Sequence, residues 1–275
     1  MEKTYLQLYS IKDETAKDFA GALKRVAEIG YTGVEFAGGN YGGYSAGDMK
    51  KMLADLGLEA LGSHIRSDQV PGHVEYAAEL GLKYIIDPMA NTGTYEEAMA
   101  TAEKLNAMGK ICKDKGIIFG YHNHRHEFME SKDGTLMDTL ILNTDPSLVC
   151  FQLDVGWAAC ASCNVPEFIK KYAGRFEMIH VKECSTAAGP AKMPDFSKFP
   201  RDENGRPQIP PEIIKQFQEQ AKWNVAAGKG IIDWNAVKDA ALAQGAKAFV
   251  VEREYDYAGN IFTCVEEDYA FLKNL

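Results

Sequence analysis

No window of this chain is rich in lysine or arginine, and no apolar run approaches the roughly 18 residues that a membrane span needs. A nucleic-acid groove or an anionic membrane surface requires a basic footprint, and the formal net charge here is −9. Neither partner is therefore expected. The opening "MEKTYLQLYS" has no apolar signal core, so the expected location is cytoplasmic. Cysteine is scarce: six in 275 residues do not make a disulfide scaffold and suit a reducing compartment. Cys160 and Cys163 in "CASC" have redox spacing, but thioredoxin-like context is missing and so is a second CxxC to complete a zinc site. They read as structural thiols. A G-x-G-x-x-G after the first apolar run is also absent, which speaks against an open dinucleotide-binding sheet.

What the chain does contain is a repeated phrase: an amphipathic helix, a glycine, one or two residues, then a short apolar strand. It appears at Gly30, Gly57, Gly81, Gly116 and Gly245. Glycine there tolerates the left-handed conformation that closes a helix before the chain reverses. With "YLQLYS", "SLVCFQLDVG" and "FEMIHVKE", the phrase yields eight strands, near 5–9, 33–36, 59–64, 83–87, 117–123, 149–154, 177–181 and 248–252. Their near-continuous apolar character suits parallel strands buried on both faces. Eight such units in a chain of this length predict one (β/α)8 TIM barrel over 1–275.

Active sites of such barrels gather at the C-terminal ends of the strands. Nearly every predicted end carries a polar or ionisable residue: Tyr9 and Ser10, Glu35, His64 and Arg66, Asp87, His122 and His124, Asp154, His180 and Lys182, Glu252 and Glu254. Residues two apart on a strand share a face, so His122 and His124 point together, as do His180 and Lys182. Singly, each reads as a solvated strand end or an ion pair. Jointly, carboxylates and imidazoles converging on one mouth point to a divalent metal with open positions: Mn²⁺, Co²⁺, Mg²⁺ or Zn²⁺, with manganese first. The stretch "YHNHRHEF" (121–128) alone holds three of the six histidines; His126 reads as a solvent-facing loop residue.

Taken in order, "GYTGVEF", the "SH" at 63–64, "YHNHRHEF", "LDVGW", "IHVKE", "GKGIIDW" and "VVERE" resemble the xylose-isomerase-like TIM-barrel superfamily, in its sugar phosphate isomerase/epimerase branch. The resemblance implies a divalent metal held by Asp154, His180 and Glu252. It also implies a glutamate ligand at the end of strand 5, where this chain has His122. Either His122 binds as a neutral imidazole, or the loop folds back so that Glu127 completes the set, and the second is preferred because it keeps the usual charge on the metal. His122 and His124 are then free to move protons.

The expected chemistry is isomerisation or epimerisation of a sugar or keto-sugar through an enediolate. Glu252 would act as ligand or base, and Lys182 would polarise a substrate oxygen. Glu35, His64, Arg66 and Lys229 are expected to bind substrate. Expelling a β-substituent instead would make the protein a dehydratase or lyase on a keto-inositol or 3-keto-glycoside, including C-glycoside cleavage with a partner subunit. A nuclease, as in related apurinic endonucleases, is disfavoured by the acidic balance. A non-catalytic barrel subunit is the third alternative, and a homo-oligomer or partner subunit is compatible with each. The segment 185–230 is proline-rich and far longer than the usual connection of about 2–6 residues, so it reads as a lid or interface with a short helix at "PPEIIKQFQEQ".

Overall fold

The computed structural model of the chain describes residues 3–194, 198–202, 207–255 and 259–275. Its framework is eight strands: β1 (Thr4–Gln7), β2 (Gly33–Phe36), β3 (Glu59–His64), β4 (Tyr84–Asp87), β5 (Ile118–His122), β6 (Val149–Asp154), β7 (Phe176–Val181) and β8 (Ala248–Val251). Each pairs in parallel with its neighbours, and β1 pairs with both β2 and β8, which closes the ring. The expected barrel is therefore the observed one. The five helix-ending glycines all have positive φ, from 69° at Gly57 to 107° at Gly30. Each would strain any residue with a Cβ.

The first strand stops earlier than expected, at Gln7 rather than Tyr9. Gln7 turns its own side-chain oxygen back to accept from the Tyr9 amide at 3.1 Å, and the chain enters a 3-10 turn over Leu8–Ile11. Among the described residues, no helix is long and apolar enough to cross a membrane.

Two apolar clusters are separated by the sheet. The larger lies between strands and helices; the smaller (Tyr5, Leu61, Tyr84, Ile86, Cys150, Met178, Ala248, Val250) fills the barrel's lower interior. Strand alternation then dictates what lies above it. Two residues beyond Tyr5, Cys150, Met178 and Val250 come Gln7, Gln152, His180 and Glu252, all pointing inward. The interior thus changes from apolar to polar within one layer, and the polar layer is the floor of the mouth.

The long segment after β7 is tied at its base. Glu183–Cys184 pairs antiparallel with Asn224–Val225. The buried Glu183 carboxylate accepts from the Cys184 amide (3.1 Å), the Gly228 amide (3.0 Å) and Trp234 Nε1 (2.7 Å). Between these ties lies the expected helix, Pro211–Ala221, with no fully buried residue. Residues 195–197 and 203–206 of the segment lie outside the described residues.

Gly109, inside the helix Tyr95–Lys113, lets that helix approach the backbone before β6: a Cβ there would lie 2.5 Å from the Leu148 carbonyl oxygen. Helix propensity alone favours Gly109→Ala by about 1 kcal/mol. Overpacking against backbone costs about 1–3 kcal/mol. We expect the variant to be less stable by up to about 2 kcal/mol in urea unfolding, and a gain in stability would contradict this packing.

Candidate metal centre and active site

The floor of the mouth is organised around Glu35, which is fully buried at the end of β2. Its Oε2 accepts from Gln7 Nε2 (2.7 Å) and His180 Nε2 (2.8 Å), and its Oε1 accepts from Gln152 Nε2 (2.7 Å). His64 Nε2 lies 3.2 Å from Oε2. Burial opposes the charge, but His64 and His180 outweigh it and hold the carboxyl well below its usual range. Both oxygens are thus engaged by side chains of the floor, which ties Glu35, expected to bind substrate, to Gln7, Gln152 and His180.

These contacts fix the proton on each ring. Gln152 spends its NH₂ on Glu35, so its Oε1 faces His64 Nε2 (2.8 Å) and His122 Nδ1 (3.0 Å). An amide oxygen only accepts, so His122 carries its hydrogen on Nδ1 and presents an Nε2 lone pair to the mouth. By the same logic His180 donates through Nε2 to Glu35 and turns Nδ1 inward. Burial and the neighbouring His180, His64 and His124 push the His122 pKa well below that of free imidazole, so it is neutral. Burial also lowers His180, but Glu252 and Glu35 on either side outweigh it and lift it to about 10. Its second proton sits on Nδ1, on the side of Glu252, and a divalent cation binding there would displace it.

Around those nitrogens the carboxylates close in. Asp154 Oδ2 lies 3.8 Å from His122 Nε2, and Glu252 Oε2 lies 3.5 Å from His180 Nδ1. One ligand atom from each of His122, Asp154, His180 and Glu252 falls within 4.8 Å of the others, and all four residues are buried. Asp154 spends Oδ1 on the Trp157 amide (2.8 Å), capping the helix Val155–Cys160. Its Oδ2 accepts no hydrogen bond, and His180 Nδ1 has only the 3.5 Å approach of Glu252. Burial, with Glu252 nearby, raises the Asp154 pKa to about 7 against the pull of Lys182. A buried carboxylate oxygen that accepts no hydrogen bond, beside an imidazole nitrogen that becomes a donor atom once its proton is displaced, fits a divalent cation by donor chemistry.

The preference for Glu127 as the remaining ligand is not met. Its Oε1 accepts from Tyr121 Oη (2.6 Å) and its Oε2 from the His124 amide (2.9 Å), with His126 Nε2 at 3.2 Å from Oε1. The loop does fold back, but to close its own turn, and His122 takes the vacant place in the cluster. His126 is buried rather than solvent-facing, because that turn draws it under Glu127.

His124 has its ring 5.2 Å from that of His122 and 5.8 Å from that of Trp157, and its Nδ1 is unpartnered. Burial, then His126 and Lys182, lower its pKa to about 3, so it is a neutral hydrogen-bonding group. Lys182 is buried beside the cluster, 2.7 Å from Glu254 and 3.5 Å from Glu252, with its ammonium 4.5 Å from the Trp157 ring centroid. Burial disfavours its charge, but those carboxylates and Asp154 raise its pKa. Burial likewise works against Glu252, yet Lys182 and His180 hold it ionised.

His64 joins His122 and His180 in a second close set, on the floor rather than facing solvent. Arg66 is exposed, 3.5 Å from Asp68, and borders a lateral cavity. Lys229 is exposed on the turn held by Glu183 and does not border the cavity over the mouth. Sequence reading missed Gln152, although "FQLD" places it two residues before Asp154 on the inward face. It also missed Asn123, whose amide accepts from the Asp154 amide (2.9 Å) and donates to its carbonyl (3.2 Å).

Comparison with known proteins agrees with the barrel fold. Residues 23–275 match the family described as xylose isomerase-like TIM barrel. An inosose dehydratase of Clostridium beijerinckii is 29% identical over 127 residues, 40% of this chain and 42% of that one. The chain thus spans less than half of that curated relative. A solved sugar phosphate isomerase/epimerase of Parabacteroides distasonis superposes with a TM-score of 0.74 at 26% identity, covering 99% of this chain and 94% of that one. The fold also matches the IOLI protein, whose structure holds a zinc atom, with a TM-score of 0.71 at 13% identity over 99% and 97% of the two chains. With its barrel closed and the match running over nearly its whole length, the chain belongs to the xylose isomerase-like TIM-barrel family.

Proposed function

We propose that the protein is a divalent-metal-dependent enzyme that removes the proton beside the carbonyl of a sugar or keto-sugar, as an isomerase or epimerase. The observation that carries this reading is the convergence of His122, Asp154, His180 and Glu252, with Asp154 Oδ2 buried and accepting no hydrogen bond and His180 Nδ1 buried beside Glu252. Two imidazoles and two carboxylates suit Mn²⁺, Co²⁺ or Zn²⁺ better than Mg²⁺, which favours oxygen donors. When bound there, such an ion supplies a Lewis acid for a carbonyl oxygen, which acidifies the adjacent C–H.

The chain's own groups divide the remaining work. Glu252, held ionised, is ligand or base. Lys182 keeps its proton and positions a substrate oxygen by donating a hydrogen bond to it. His124, neutral and with Nδ1 unpartnered, accepts from a substrate hydroxyl or relays the proton. His122 has its Nδ1 hydrogen held by Gln152, which supports a ligand role over the shuttle role first expected. The segment around Pro211–Ala221 lies over the mouth as a lid that limits water. A second reading, dehydration of a keto-inositol, is favoured by the name of the curated relative. Both readings share the first proton removal and differ in what leaves afterwards.

Elemental analysis tests the centre. The wild type should hold one divalent ion per chain, Asp154→Ala should hold less than a tenth of that, and Glu127→Gln should keep it. Unchanged stoichiometry in Asp154→Ala would refute the assignment.

Gln152→Leu removes the acceptor that orients both His64 and His122. Loss of such a supporting partner weakens metal affinity about 10–100-fold. Competition against a chelator should show that drop with binding still complete at saturating Mn²⁺. An affinity equal to wild type would mean the rings hold their orientation without the amide.

His124→Ala should retain the metal and lose solvent-deuterium exchange into D-fructose or inosose, followed by NMR in D₂O. Exchange at the wild-type rate would leave His124 with a purely structural part. Appearance of an unsaturated or dicarbonyl product from inosose in the wild type would decide for the dehydratase reading.

A further inference from the structure

Above the cluster lies a cavity of about 810 Å³ to which no part of the proposed chemistry assigns an occupant. None of the four clustered residues borders it; it meets the centre at His124 and Trp157, which do. Its lining includes an apolar, largely aromatic set: Trp157, Met193, Pro194, Phe217, Trp223 and Tyr255. The helix Pro211–Ala221, which carries Phe217, also lines it with Glu212, Lys215, Gln216, Glu219 and Gln220 at i, i+3, i+4, i+7 and i+8 spacing, one face of a helix. Arg125, also in the lining, has its guanidinium carbon 5.1 Å from the Trp223 ring centroid. At the junction with the centre, His124 Nδ1 and Trp157 Nε1 are both buried without a partner.

Size is the first constraint. Pockets of about 300–1,000 Å³ hold drug-sized ligands, and this one lies near the upper end. A single sugar ring seated at the metal centre would leave most of it empty. The wall is the second constraint. Indole, phenyl and phenol rings with a thioether and a guanidinium beside them favour a flat π-face over a hydroxylated one. The third is the polar face of the helix Pro211–Ala221, whose carboxylates and amides suit hydroxyls or carbonyls on the rim of that flat group. The unpartnered His124 and Trp157 nitrogens stand where its bridging oxygen would pass.

We infer that the substrate is two-part: a keto-sugar head at the metal centre, joined through an ether-type oxygen to a planar, polar-rimmed aromatic group in the cavity walled by Trp157, Phe217 and Trp223. This rests on the head-group reading proposed above, but it concerns a different set of residues and is tested by a different readout.

The test compares affinities of the metal-loaded protein for 4-methylumbelliferyl β-D-glucoside, methyl β-D-glucoside and cellobiose, by calorimetry and tryptophan fluorescence. Aromatic stacking on this wall should make the aryl glucoside at least about tenfold tighter than the other two. Trp223→Ala and Phe217→Ala, tested separately, should each shrink that preference to within about threefold, with metal content unchanged. The inference is overturned if the three ligands bind within about threefold of one another, if none binds, or if cellobiose matches the aryl glucoside. It is also overturned if both variants keep the full preference. A failed head-group reading would show differently, as absence of a metal ion dependent on Asp154, whatever the aryl preference.

Discussion

One buried carboxylate holds the rest in place. Glu35 takes N–H donors from β1, β6 and β7, by way of Gln7, Gln152 and His180, so a single side chain at the end of β2 ties three other strands across the barrel axis. Leaving such a charge in an apolar interior is costly unless every lone pair is engaged, and here the donors converge to engage them. The consequence runs outward. Because Glu35 orients Gln152, Gln152 orients His122. Because Glu35 holds His180 Nε2–H, the other nitrogen faces the mouth. The geometry of the proposed metal centre is thus set one layer below the centre itself.

The barrel and most of the strand ends were legible in the sequence because they depend on short-range rules: apolar runs, helix-closing glycines and two-residue alternation. Asp154, His180, Lys182 and Glu252 follow from those rules alone. What was not legible depends on contacts between strands. Whether Glu127 or His122 completes the cluster turns on Tyr121 Oη and the His124 amide, which claim both Glu127 oxygens. Glu35 and His64 read as mouth residues because they end strands, yet the floor network across the axis engages them. Arg66 and Lys229 lie beyond their strands, where no periodicity constrains direction. Gln152 was passed over because an amide carries no charge, although alternation already placed it inward.

The polar floor also bears on why the mouth is anionic yet orderly. Asp154, Glu252 and Glu254 gather there, and Lys182 is the buried ammonium set among them. Its contact with Trp157 links the charge cluster to the aromatic wall above. Asp154 serves both sides of this boundary: one oxygen begins a helix, the other faces the cluster.

The Glu183 clamp has a consequence for how such a protein can diversify. By fastening Cys184, Gly228 and Trp234 together, it brings the two ends of the long segment to one place on the rim. A stretch whose ends are already joined can be lengthened at small entropic cost, roughly 0.6 kcal/mol per doubling. It can also be replaced outright, because no barrel strand takes its register from it. The segment thus has the build of a cassette: the wall over the mouth can be exchanged while the floor, with its histidines and carboxylates, stays as it is.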